Sequence, residues 1–249
     1  MLPEIIVENL VKSFGNLKVL DGINFALEHG EFLCVVGPSG CGKTTLIRIL
    51  AGLERSYEGT VLIKGKPPSP REHNFGYVPQ DDALFPWKTV LRNVSFGLEI
   101  KGFKESEALA RARQIIELVG LKGFENYYPH QLSGGMRKRV ALARAFAIDP
   151  DILLMDEPFV NLDAQTRWIM HKELLEIWSN LRKTAILVTH NVEEALFFAN
   201  KILMLTKRPA KNKLLLNVDL PYPRNKLSSE FISYREKIIR YLREEVPEI

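Results

Sequence analysis

The run Gly37-Pro-Ser-Gly-Cys-Gly42-Lys43-Thr44 constrains this chain more than any other feature. It fits G-x-x-x-x-G-K-[S/T], a loop that belongs between a buried strand and the start of a helix. The flanks agree: Glu31–Val36 reads as a buried strand entering the loop, and a helical stretch, Lys43–Ala51, follows it. Glycines let the backbone curl so that successive N–H groups turn inward toward phosphate oxygens. Lys43 adds a positive charge that reaches β- and γ-phosphates, and Thr44 offers a hydroxyl to Mg2+. The positive N-terminal end of the helix serves the same anion. Cys41 reads as loop filler, not as a nucleophile. A plain Gly-rich turn would explain the glycines but not the strand before them and the helix after.

Elsewhere, short apolar runs at Ile5–Leu10, Thr60–Ile63, Phe75–Val78, Ile152–Met155, Ala185–Val188 and Ile202–Leu205 read as strands. Helical stretches at Glu105–Val119, Gly135–Ala147, Ala164–Asn180 and Val192–Ala199 alternate with them, which is the pattern of an α/β layered fold. Between Asp81 and Ala147 the strands give way to helices, so a helical lobe is expected inside the α/β core. Lys64 to His73 reads as an exposed Pro-rich loop. The tail from Ser229 to Val246 carries Phe231, Tyr234, Ile238, Tyr241 and Leu242 at helical spacing.

Composition narrows the class. The chain has 249 residues, 46% of them hydrophobic, and only two cysteines, Cys34 and Cys41, so no disulfide framework is expected. Lys plus Arg is 34 against 30 Asp plus Glu, a net +4 too balanced to announce a nucleic-acid partner. Glu4 and Glu8 sit where a signal peptide needs an apolar core, and no run of about 18 apolar residues could span a bilayer. The composition reads as cytosolic.

Two further clusters carry chemistry. Ile152-Leu-Leu-Met-Asp156-Glu157 is an apolar run ending in two acids, placing carboxylates at the edge of a parallel sheet where ligands bind. Asp156 is expected to hold Mg2+; Glu157, on the other side by strand alternation, is expected to polarise an attacking water. Leu132-Ser133-Gly134-Gly135-Met136 opens a helix and forms a second anion site by the same N–H and dipole logic. One chain holds one phosphate loop, so this second site suggests that a partner's nucleotide docks there. The basic triplet Arg137-Lys138-Arg139 reads by itself as solvent-facing.

The order of phosphate loop, Gln80, Leu132-Ser-Gly-Gly, Leu153-Leu-Met-Asp-Glu-Pro158, Leu162-Asp163 and Thr189-His190 resembles the nucleotide-binding subunit of an ABC transporter, from Val11 to about Leu205. The resemblance implies a P-loop NTPase with a RecA-like α/β core (about 1–80 and 148–206). It also implies an N-terminal antiparallel β-region, an inserted helical subdomain (about 81–147) and a C-terminal extension (about 207–249). ATP and Mg2+ are the implied ligands. Phe14 would stack on adenine, while Gly37, Pro38, Ser39, Gly40, Cys41, Gly42, Lys43, Thr44 and Thr45 would cradle phosphate. Thr44, Gln80 and Asp156 would hold the metal. Gln80 would also touch the lytic water and sense a membrane partner. Ser133, Gly134 and Gly135 would contact nucleotide on the opposite subunit, and Asp163 would couple the two sites. Glu157, His190, Gln80 and Lys43 form the implied catalytic set. The implied partners are a transmembrane permease, a second copy of the chain and, indirectly, a solute-binding protein, with no nucleic acid. The implied location is the cytoplasmic face of the cell membrane.

The chain departs from the broad family pattern in three places: Met136 for the usual Gln, Val160-Asn161 for small residues, and Asn191 where Asp is frequent. None removes a reacting group. A narrower resemblance joins Asp82–Leu98, Met136 and Leu220-Pro-Tyr-Pro-Arg224 to the nitrate/sulfonate/taurine import group. Leu84-Phe85-Pro86-Trp87 would then line a groove for a short permease helix, although ordinary packing explains each residue singly. A soluble ABC-type ATPase is the alternative. DNA-repair versions carry a long coiled coil and translation factors carry tandem cassettes; this chain has neither. A lone GTPase or kinase would leave Gln80, His190 and the Ser-Gly-Gly turn unexplained.

Overall fold

The computed structural model describes residues 3–160, 162–181 and 183–245; Asn161 and Val246 lie outside them. The chain opens with β1 (Ile5–Phe14), β2 (Leu17–Leu27), β3 (Phe32–Val36), α1 (Lys43–Leu50), β4 (Glu58–Ile63) and β5 (Phe75–Val78). Three helices follow: α2 (Val90–Ile100), α3 (Glu105–Leu118) and α4 (Gly134–Ala147). Then come β6 (Ile152–Asp156), α5 (Ala164–Leu181), β7 (Thr184–Val188) and α6 (Val192–Phe198). β8 (Lys201–Leu205), β9 (Asn212–Asn217) and α7 (Ser229–Glu245) end it. The fold is α/β, with an antiparallel β-region, mixed sheet and a helical insertion.

Two compact units divide these elements: Met1–His73 with Lys183–Ile249, and Asn74–Arg182. In the first unit, β3 lies between β7 and β8 in parallel pairing, and β9 adds antiparallel to β8. β3 and β7 are buried at every position, which is why they read as unbroken apolar runs with no alternation. A separate antiparallel sheet has the order β2-β1-β4. The sequence pattern stops β1 at Leu10 and misses β2. The cause is local: Asn9 has φ +48° and Gly22 has φ +78°, and the pairing slips between Val7 and Leu10, so bulges break the two-residue period. The tail helix α7 buries Phe231, Ile238 and Leu242, as its spacing predicts, and packs on α6.

In the second unit, β5 and β6 pair in parallel from Phe75 and Ile152 to Val78 and Met155. Asp81 to Ala147 contains helices and no strand, as expected. α2 escapes the sequence reading because a glycine interrupts it. A Cβ on Gly97 would meet Ile148 Cγ2 at 2.7 Å, so close packing within the unit accounts for that glycine.

Candidate functional site

In the first unit the chain leaves β3, turns at Gly37 and enters α1 at Lys43. Two glycines are conformationally required: Gly40 at φ +71° and Gly42 at φ +122°. Gly42 is also sterically pinned, since a Cβ there would lie 2.8 Å from both Val19 Cγ1 and Leu20 Cδ2 of β2. The Lys43 amine is buried and donates to the carbonyls of Gly37 (2.9 Å) and Pro38 (3.0 Å), so it spans the loop it closes. α1 has no side-chain cap and no acid in its first turn, which leaves its leading N–H groups and dipole to an anion. Thr44 is exposed and Thr45 half-buried, with Ser39 exposed at the loop's crest. Cys41 is buried, and burial pushes its thiol up from the usual range, which suits filler and not a nucleophile.

Phe14 ends β1 with 48% of its surface exposed. The Lys12 amine lies 4.4 Å from its ring centroid and also donates to Glu54 Oε1 (3.0 Å) and the Ser56 carbonyl (2.5 Å). The ring is thus steadied on one side by a cation. His190 follows β7 and is exposed. Beside it, Thr189 Oγ1 donates to Glu194 Oε2 (2.6 Å), and the Asn191 side chain accepts from the Glu193 and Glu194 amides to cap α6. Asn and Asp cap equally well, so the departure at Asn191 keeps the turn that carries His190.

In the second unit, β6 ends at Asp156, a buried carboxylate. Strand alternation does not extend to Glu157: its φ is +46°, left-handed, and its carbonyl accepts from Val160 N at 3.3 Å. Such a conformation costs a non-glycine residue about 1–3 kcal/mol and collects at functional sites. The expectation that alternation aims Glu157 is therefore corrected; a tight turn aims it. Within this unit Gln80 carries a neutral oxygen and Asp156 a carboxylate, oxygen donors of the kind that Mg2+ takes beside phosphates.

Ser133 caps α4, its hydroxyl oxygen accepting from Met136 N at 3.2 Å, which leaves the hydroxyl proton for a ligand. A Cβ on Gly134 would approach only Arg137 Nη2, at 3.9 Å, whereas a Cβ on Gly135 would meet Thr166 Cγ2 at 2.8 Å. Asp163 caps α5 through Thr166 N at 2.9 Å, and that hydrogen bond holds its carboxyl below the usual range. Gln80, past β5, is exposed.

The basic triplet corrects the sequence reading. Arg137 pairs with Asp82, Lys138 is buried against Asp82 and the Gln80 carbonyl, and Arg139 bonds Val119 O (2.7 Å) and Glu173 (3.0 Å). Sequence spacing carried no sign of Asp82, 55 residues before Arg137, as its partner. Buried Asn93 likewise carries no signal in the sequence pattern. It receives the Phe85 amide and donates to the carbonyls of Phe85, Lys88 and Thr89, which holds up Phe85 and a Trp87 that is 71% exposed.

A model of the ABC transporter family matches residues 20–160, more than half of the chain. The chain belongs to the ABC transporter ATP-binding family. It is therefore an ATPase, with ATP as substrate and Mg2+ as the general cofactor of such cassettes. An ABC transporter ATP-binding protein of Methanocaldococcus jannaschii is 52% identical over 244 residues, 96% of this chain and 91% of that one. The aliphatic sulfonates import ATP-binding protein SsuB of Bacillus cereus is 42% identical over 92% of this chain and 90% of its own. Among solved structures, a dimeric cassette in a post-hydrolysis state bound to ADP and Pi matches with TM-score 0.77 at 30% identity, covering 86% of this chain and 98% of that one. The cassette cbiO1 from Clostridium perfringens, part of an ABC transporter complex, matches with TM-score 0.79 at 25% identity over 100% and 97%. Among the described residues of this cassette, no helix is long and apolar enough to cross a membrane.

Proposed function

We propose that this cassette is the ATP-hydrolysing subunit of an importer for a small solute of the nitrate, sulfonate or taurine kind. The observation that carries this reading is the 42% identity to the sulfonate import relative across 92% of the chain. Two copies pair about a two-fold axis so that the phosphate loop of each faces the Ser133 turn of the other, the reciprocal contact of an isologous dimer. Each ATP lies between the phosphate loop of one copy and Ser133, Gly134 and Gly135 of the other. Lys43 and the loop amides hold the β- and γ-phosphates; Phe14 stacks on adenine. Thr44, Asp156 and Gln80 hold Mg2+, which neutralises phosphate charge when bound. Glu157, with His190 and Gln80, aligns a water for in-line attack at the γ-phosphorus. The new P–O bond forms as the bond to the β-phosphate oxygen breaks, and the water's proton passes to the Glu157 carboxylate. Asp163 couples the two sites.

The permease docks at the cytoplasmic face of the membrane on the Leu84–Trp87 surface. The exposure of Trp87 and the four Asn93 hydrogen bonds that stiffen its loop support that placement. Closing and reopening of the dimer rocks the permease between access states, and a solute-binding protein delivers cargo on the far side. Affinity capture of the tagged chain from detergent-solubilised native membranes tests the reading. A stoichiometric polytopic membrane protein is the expected companion. A soluble companion, or none, with ATPase activity intact would turn the assignment to an ATPase unconnected with transport.

A further inference from the structure

The segment after β5 is held from one side by one helix. Lys138 of α4 donates to the Gln80 carbonyl and pairs with Asp82 Oδ1 at 3.1 Å. Arg137 Nε meets Asp82 Oδ2 at 3.1 Å while its Nη1 donates to the Leu132 carbonyl at 2.8 Å, one residue before Ser133. Further along α4, Arg144 donates to the carbonyls of Ala83 (2.6 Å) and Asp82 (3.2 Å). Ala83 has φ +46°, a left-handed conformation that a non-glycine residue keeps only where its surroundings over-determine it. Charged donors on carbonyls, and the Arg137 guanidinium on the carboxylate, are the strong kind of hydrogen bond, and the buried Lys138 ammonium adds an ion pair to Asp82 Oδ1. Together they make Gln80–Ala83 and the start of α4 one piece.

We infer that Lys138 is a positioning residue for Gln80: by fixing its carbonyl, Lys138 sets where the Gln80 side chain is delivered, and Arg137 ties that placement to the Ser133 turn. A shift of the Gln80 segment is thereby passed to the residues that meet the second nucleotide. The inference rests on the proposed role of Gln80 at the metal and the water.

The test uses the full chain and four variants: Lys138→Met, Lys138→Arg, Gln80→Ala and the double variant Lys138→Met with Gln80→Ala. Lys138→Met should lower kcat about 10-fold with the KM for ATP within about 2-fold, the signature of a lost transition-state interaction. Lys138→Arg should recover most of that loss. The double variant should be no slower than Gln80→Ala, because the two residues act as one unit. Without nucleotide, amide exchange at 81–83 should run about 10-fold faster in Lys138→Met. Unchanged exchange with a wild-type rate, or a multiplicative loss in the double variant, overturns the inference. If Gln80→Ala itself turns over normally, the Gln80 role falls, and the exchange rates still decide whether the clamp exists. Asp82→Asn, which keeps the shape and removes the charge, should show the same non-additivity with Gln80→Ala at smaller amplitude and decides the matter if Lys138→Met fails to fold.

Discussion

The phosphate loop and the Ser133 turn are both helix starts that present N–H groups, and they are held in opposite ways. α1 begins at Gly42 without a side-chain cap, and its own lysine closes the loop from beneath. α4 begins under a serine cap that already occupies one of its amides, on an exposed residue. An uncapped start with a built-in cation is a self-sufficient anion site; a capped, exposed one adds contacts to an anion that something else delivers. On this account affinity resides in the phosphate loop, and the Ser133 turn reports that the loop of another copy is loaded.

The largest expected effect splits the two sites. Lys43→Ala should weaken ATP binding about 10²-fold or more, because it removes a charge-assisted contact to phosphate. Ser133→Ala should leave the affinity of the isolated chain within about 2-fold while slowing turnover. Calorimetric titration with ATP beside steady-state ATPase rates checks both, and an equal loss of affinity in the two variants would erase the contrast.

The two glycines of the turn sharpen it next. Gly135→Ala forces a methyl against Thr166 and should lower stability by about 1–3 kcal/mol, read by urea unfolding. Gly134→Ala has room for its methyl and should leave the unfolding midpoint nearly unchanged, so any loss of rate there belongs to ligand contact. Smaller again is the cap of α6: Asn191→Ala should cost about 1 kcal/mol and Asn191→Asp about nothing, measured the same way.

The smallest effect is electrostatic. The Asp163 carboxyl is held below its ordinary value of 3.8 by the Thr166 hydrogen bond. A depressed folded-state pKa gives stability that is present above the unfolded value and lost as pH falls through the folded one. Thermal midpoints of the wild type and Asp163→Asn should therefore differ slightly at pH 6 and converge as pH drops below about 4. A gap that widens on acidification would reverse the assignment.

Local patterns were legible where function and fold make the same demand. Gly37–Thr44 between strand and helix, the buried runs at β3, β6 and β7, and the spacing of α7 could all be read from the residues alone. The bulged β2, with Gly22 inside it, and the glycine-interrupted α2 could not, because bulges break the period of the first and a glycine kept for close packing interrupts the second. The clamp of Asp82 by Arg137 and Lys138 left no sequence trace, since neither residue type nor spacing distinguishes a charge that meets a distant carboxylate from one that meets water. Ser133, Asp163 and Asn191 teach a subtler point: each stands in a motif and each caps a helix, so a substitution there tests both roles at once.

A dimer that closes head-to-tail on ATP with Glu157 at the water is visible in light scattering of Glu157→Gln with saturating Mg-ATP. ATP affinity should stay within about 3-fold of wild type, turnover should fall at least about 10²-fold, and the mass should double when ATP is added. A Glu157→Gln chain that binds ATP, stays at the mass of one copy and hydrolyses at the wild-type rate would contradict it.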